Sequence, residues 1–375
     1  MPYDLLIKGG EVVDPSQGLH RRLDVAITNG KIAALDPDIP LSAAKRVADA
    51  SGCIVTPGLI DLHTHSYWGA TFWGIEMDPI CARTGVTTTV DAGSAGYHNF
   101  PGFRRYIANT LHSRLWCYLN ISCIGLTNEY LELAVLDFAD VDLAVKMADA
   151  NRDLVLGIKV RVAPNIQGEL GLQPMQRARQ AADRLGLPMM VHFGDPPPLL
   201  EEILGLMKAG DVLTHCFNGR SNSIVDGRGK VRQVAKQARD RGIIFDVGHG
   251  FGSFKFDVAE AALAEGFLPD IISSDLHSRS ITGPVYDLPT TISKFLNMGM
   301  SLDEVISRAT EAPARVIGQV GRLGTLRVGA EADVGVFQLL EGDYEFYDCH
   351  DQVRRWPQRL VNTLTVVKGK VMERS

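Results

Sequence analysis

The chain has 375 residues, 45% of them hydrophobic and 22% charged, a mean hydropathy of +0.02 and a net charge of −6. That composition suits a soluble protein with a large core and disfavours disorder, while the absence of any Lys/Arg block argues against nucleic acid as a partner. No apolar run approaches the roughly 20 residues of a membrane span, and Met1-Pro2-Tyr3-Asp4 carries an acid where a signal peptide would carry bases, so a cytoplasmic protein without a membrane partner is expected.

The first 55 residues read as short strands punctuated by turns: Leu5–Lys8, Glu11–Val13, Asp24–Ile27, then an Asn29-Gly30 hairpin signal before Lys31–Ala34. The other end repeats that style in Asp333–Phe337 and Leu364–Val371, which predicts one small β-sandwich built from residues 1–55 and 325–375. Between them, residues 56–324 alternate apolar runs with helical patterns. Strands are expected up to His65, over Val86–Val90 toward Asp91, and over Leu115–Ile121, Val155–Lys159, Pro188–His192, Val212–His215, Ile243–Asp246 and Ile271–Asp275. Eight such units make an α/β fold, a (β/α)8 TIM barrel of about 250 residues, whose chemistry belongs at the C-terminal strand ends. The six cysteines, Cys53, Cys81, Cys117, Cys123, Cys216 and Cys349, form no C-x-x-C pair and read as reduced thiols.

Where more Val or Ile would be the default, several of these runs end in residues able to bind metal: His63, His65, Lys159, His192, His215 and Asp275. Side chains alternate along a strand, so His63 and His65 share a face. The intervals of 94, 33, 23 and 60 residues from His65 through Lys159, His192 and His215 to Asp275 place the set on strands one, four, five, six and eight, converging at one mouth.

This order resembles the amidohydrolase superfamily, in particular its binuclear, dihydroorotase-like and deacetylase branch. The likeness extends to the split small domain and the Gly329-Ala330-Glu331-Ala332-Asp333-Val334 turn. It implies two divalent metal ions, zinc by default, with His63, His65 and Asp275 on one, His192 and His215 on the other, and Lys159 bridging them as a carbamate formed with carbon dioxide. Bridging anions offset the repulsion between two cations about 3.5 to 4 Å apart. Burial beside cations lowers a lysine pKa in the direction carboxylation needs. Asp275 becomes the catalytic acid and base, and a hydroxide shared by the metals the attacking group on an amide or ester carbonyl.

Arg161, two residues past Lys159, is placed to clamp a substrate carboxylate. Trp68, Phe72 and Trp73, with Tyr97 and His98, are candidate walls for the substrate. His249, in Gly248-His249-Gly250-Phe251-Gly252, and His277, two residues past Asp275, complete the candidate contacts. Dihydroorotases usually carry an arginine just after His-x-His, where this chain has Ser66-Tyr67-Trp68. The expected enzyme is therefore a metal-dependent hydrolase deacetylating a small acetylated or N-acyl carboxylic acid, with a dihydroorotase- or hydantoinase-like cyclic amidohydrolase as the alternative and a non-catalytic scaffold as the second. A small-molecule substrate and a homo-oligomer are the expected partners.

Overall fold

The computed structural model describes residues 2–374. Seven parallel strands form one sheet in chain order: β1 (Leu59–Thr64), β2 (Val86–Gly96), β3 (Arg114–Asn120), β4 (Val155–Val162), β5 (Met189–Phe193), β6 (Val212–Thr214) and β7 (Ile244–Asp246). All six residues of β1 and all eleven of β2 are buried, as expected of parallel strands covered on both faces. Between strands run amphipathic helices. In Gln173–Leu185, Met175, Ala178, Ala182 and Leu185 are buried on one stripe, and Gly186 closes the helix with φ +63°.

The eighth segment differs from the sequence expectation. Ile271–Asp275 forms no ladder; single parallel bridges from Asp246 to Ile271 and from Thr64 to Leu276 close the barrel. Ser273 and Ser274 turn their hydroxyls to Asp246 and Asp61, and Asp275 takes a left-handed φ of +49°, which ends extended pairing. β6 likewise stops at Thr214 because His215 has φ +70°. Ile60, Leu62, Val90, Tyr118, Met190 and Val212 fill the barrel interior.

The chain ends build two further sheets. One holds Leu5–Lys8, Asp24–Thr28, Lys31–Asp36 and Val47–Asp49, with Asn29 and Gly30 both at positive φ in the hairpin turn. The other joins Glu11–Asp14, Leu19–Arg22 and Ile54–Pro57 to the C-terminal strands. Those are longer than the sequence suggests: Val334–Tyr347 and Val353–Val367 form one antiparallel hairpin of 14 and 15 residues per strand. Its charged positions hide the strand pattern in sequence, yet Arg355 reaches Asp343 across the ladder at 3.0 Å and Trp356 packs on Phe346. Among the described residues, no helix is long and apolar enough to cross a membrane.

Candidate active site

Parallel registry carries the strand-end side chains to one mouth. Arg161 on β4 stands beside His192 on β5, and His192 beside Thr214 on β6. Facing ligand atoms of His63, His65 and Asp275 lie within 4.8 Å of one another, with Asp275 Oδ1 3.4 Å from His63 Nε2 and 3.2 Å from His65 Nε2. His215 joins them, its ring 5.1 Å from that of His63 and 4.5 Å from that of His192. All four histidines, Lys159 and Asp275 line a cavity of about 250 Å³.

The hydrogen bonds behind these rings select one tautomer. Thr214 Oγ1 donates to Asp246 Oδ2 at 2.7 Å, so it can only accept from His63 Nδ1, 2.8 Å away. His215 Nδ1 donates to the Gly248 carbonyl at 2.6 Å, and His65 Nδ1 is engaged by Ser94 Oγ at 2.9 Å. For His63 and His215, Nε2 is therefore left with its lone pair toward the cavity, the form in which imidazole binds a metal. Burial, with the neighbouring Lys159 charge, holds His63 and His215 well below the usual histidine range. Burial also lowers Lys159 to about 7 and raises Asp275 to about 6.

Lys159 Nζ and Asp275 Oδ1 are buried without a hydrogen-bond partner. Two orphaned polar atoms amid four neutral imidazoles leave a set of N and O donors that fits divalent cations and explains an otherwise costly arrangement. His63, His65 and Asp275, with His192, His215 and Lys159 beside them, are the residues that would hold such ions.

Arg161 also faces the cavity. Its Nε lies 2.8 Å from Oε1 of the fully buried Glu132, and its Nη2 donates to the Glu129 carbonyl at 2.9 Å, so the guanidinium is fixed from behind. At the rim, Arg279 pairs with Glu129 and Arg220 with Asp195. His277 is buried and lines the cavity, packed edge-on against Trp73 at 4.6 Å, and burial keeps it near 4 despite Asp275.

Three of the sequence-predicted contacts lie elsewhere. Tyr97 is buried in the core with its hydroxyl donating to the Phe138 carbonyl, because β2 runs on to Gly96 and carries it past the mouth. Trp68 is 56% exposed and lines a separate groove with Tyr106 and Met77; of the aromatic loop, only Trp73 reaches the cavity. His249 turns away to Lys294. Ser66, which stands where dihydroorotases carry arginine, gives both its amide and its hydroxyl to Asp91.

Sequence reading passed over Asp61, Asp91 and Asp246, the buried acceptors that hold Ser274, Ser66 and Thr214. Each interrupts or ends an otherwise apolar strand, which is the signal available. Glu132 comes from an irregular loop and carries none.

Fold and site together define a barrel enzyme with a histidine–carboxylate centre at its mouth. The Amidohydrolase family model matches residues 54–372, and the chain belongs to that family of hydrolases. It is 41% identical to a deacetylase of Agrobacterium fabrum over 329 residues, 87% of this chain and 81% of the relative. Two crystal structures superpose with a TM-score of 0.91. One, of an adenine deaminase, is 36% identical and is covered over 99% of its length by 98% of this chain. The other, of a dihydroorotase, is 37% identical and is covered over 98% of its length by 99% of this chain.

Proposed function

We propose that the protein is a binuclear metal-dependent hydrolase that removes an acyl group, acetyl by preference, from the nitrogen or oxygen of a small carboxylic acid. The observation that carries this reading is Arg161, a guanidinium braced by Glu132 and the Glu129 carbonyl and facing the same small cavity as Asp275. A planar fork fixed in that way suits a substrate carboxylate, and about 250 Å³ suits a small molecule. The resemblance to a deacetylase at 41% identity supports the same choice.

Cations bound by His63, His65, His192, His215, Asp275 and carboxylated Lys159 would supply Lewis-acid polarisation of the carbonyl and a water of lowered pKa. Arg161 orients the substrate by its carboxylate. Asp275 accepts the proton of the attacking water on a carboxylate oxygen and returns it to the leaving nitrogen or oxygen. Trp73 and His277 wall one side and restrict water.

Hydrolysis of N-acetyl amino acids, O-acetyl hydroxy acids, dihydroorotate and hydantoins, with ammonia release from adenine as a further arm, tests the reading. Acetate release with the largest kcat/KM is expected. A ring-opening product or ammonia as the preferred outcome would replace it with the cyclic-amide or deaminase chemistry named for the two structural neighbours. Lys159→Ala should abolish turnover and lower bound metal, and full turnover in that variant would sink the carbamate bridge.

A further inference from the structure

Behind the mouth lies a buried lysine that the proposed reaction does not use. Lys294, in the helix Leu288–Asn297, is fully buried, and its Nζ lies 2.6 Å from His249 Nε2, 2.7 Å from the Tyr347 carbonyl and 3.0 Å from the Pro284 carbonyl. Three donors thus meet three acceptors on three separate segments: the loop after β7, the loop before the helix, and the tip of the C-terminal hairpin. A buried amine without a paired carboxylate is expensive, so an arrangement this complete calls for a use.

The chain of contacts runs from Lys294 toward the metal-binding side chains. Burial, with the Lys294 charge beside it, holds the His249 imidazole neutral and well below its usual range. Its Nε2 therefore accepts from Lys294 while Nδ1 donates to the Gly250 carbonyl at 3.0 Å, and the ring stacks on Phe254 at 4.4 Å. Cys349 Sγ, at the hairpin tip, donates to the same Gly250 carbonyl at 3.3 Å.

The turn gripped in this way presses on the site. Gly248 and Gly250 have φ of +46° and +57°, and a Cβ would lie 2.3 Å from Thr214 Oγ1 at Gly248 and 2.3 Å from Asp275 Oδ2 at Gly250. The Gly248 carbonyl is the acceptor that sets the His215 tautomer, and the Gly248 amide donates to Ser273 Oγ, which itself donates to Asp246.

We infer that Lys294 is a positioning residue for the metal centre: acting through His249, it clamps the Gly248–Gly250 turn so that the Gly248 carbonyl holds His215 with its ligand atom beside His192. The inference rests on the reading that the histidine cluster holds metal. Loss of the clamp frees the Gly248 carbonyl, lets His215 change tautomer or rotate, and weakens the ion on the His192–His215 side more than the substrate anchor at Arg161.

The test is zinc titration of chelator-stripped protein against a competing chromophoric chelator, in wild type, Lys294→Met, His249→Phe and the double variant. His249→Phe keeps the stack on Phe254 and removes the acceptor. One of two equivalents is expected to bind about 10- to 100-fold more weakly in each single variant. The double variant should be no worse than either single one, since both remove the same link. For the reloaded enzymes kcat falls while KM for an N-acetyl amino acid stays within about twofold. Wild-type affinity for both equivalents in a folded Lys294→Met protein, or additive losses in the double variant, would overturn the inference. Should Lys294→Met not fold, Lys294→Gln, which keeps an N–H donor on a shorter stem, and His249→Phe are read by the same criteria. A wild-type protein that binds no zinc would overturn the metal-centre reading itself, a result distinct from equal binding by wild type and variants.

Discussion

Arg161 is the side chain on which substrate choice turns in the proposed reaction, because Glu132 and the Glu129 carbonyl have already fixed its plane before any ligand arrives. Charge-assisted bonds from a pre-set guanidinium contribute about 1.5 to 3 kcal/mol each way they are broken. Arg161→Met is therefore expected to raise KM for N-acetyl amino acids by about 10- to 100-fold while changing kcat/KM for an uncharged acetyl ester by less than about threefold. Equal losses on both substrates would remove the carboxylate role. Arg161 was legible in sequence because it shares the period-2 face of Lys159. Tyr97 was misplaced because β2 runs on to Gly96, and Trp68 because loop geometry, which has no period, decides where it points.

Among the elements, the Gly248–Gly252 loop gives the sharpest contrast. A Cβ at Gly250 would meet Asp275 Oδ2, whereas one at Gly252 meets only the flexible end of Arg220 at 3.5 Å. Gly250→Ala should lower kcat at least about 100-fold and cost on the order of 1–2 kcal/mol of stability from the left-handed backbone. Gly252→Ala should remain within about twofold in kcat, as steady-state kinetics and thermal melts on the pair would show. The eighth strand and the long hairpin departed from expectation for related reasons. Side chains of Ser273 and Ser274 compete for the backbone's place at the barrel seam, and cross-strand ion pairs let a charged stretch lie in a sheet.

Across the whole molecule, the Gly329–Val334 turn joins the parts. Arg114, at the start of β3, donates to Asp333 at 2.8 Å and to Glu331 at 2.9 Å, while Lys31 from the N-terminal hairpin reaches Glu331 at 2.9 Å. Burial opposes ionisation of Glu331, but Lys31, Arg114 and Arg322 outweigh it and hold its carboxyl at about 2. A carboxyl depressed on folding adds stability above its unfolded pKa, near 4.3, and loses it as pH falls through the folded value. Glu331→Gln should thus unfold more easily at pH 7, on the order of 1 kcal/mol after allowance for solvent screening, with the gap closing between about pH 4 and pH 2. Denaturant melts that show a constant gap over that range would place the effect in packing instead.

Local chemistry alone determined the alternation of apolar runs and helices and the spacing that brings His63, His65, Lys159, His192, His215 and Asp275 to one mouth. Those features repeat with the geometry of strands and βα units, so they can be read along one dimension. Only tertiary structure decided which nitrogen of His63 and His215 faces the cavity, that Glu132 braces Arg161 from a loop, that Ser66 turns to Asp91, and that Lys294 grips the turn behind Asp275. Each of these joins residues far apart in the chain through a hydrogen bond or ion pair, and such a partner has no signature in the spacing of either residue.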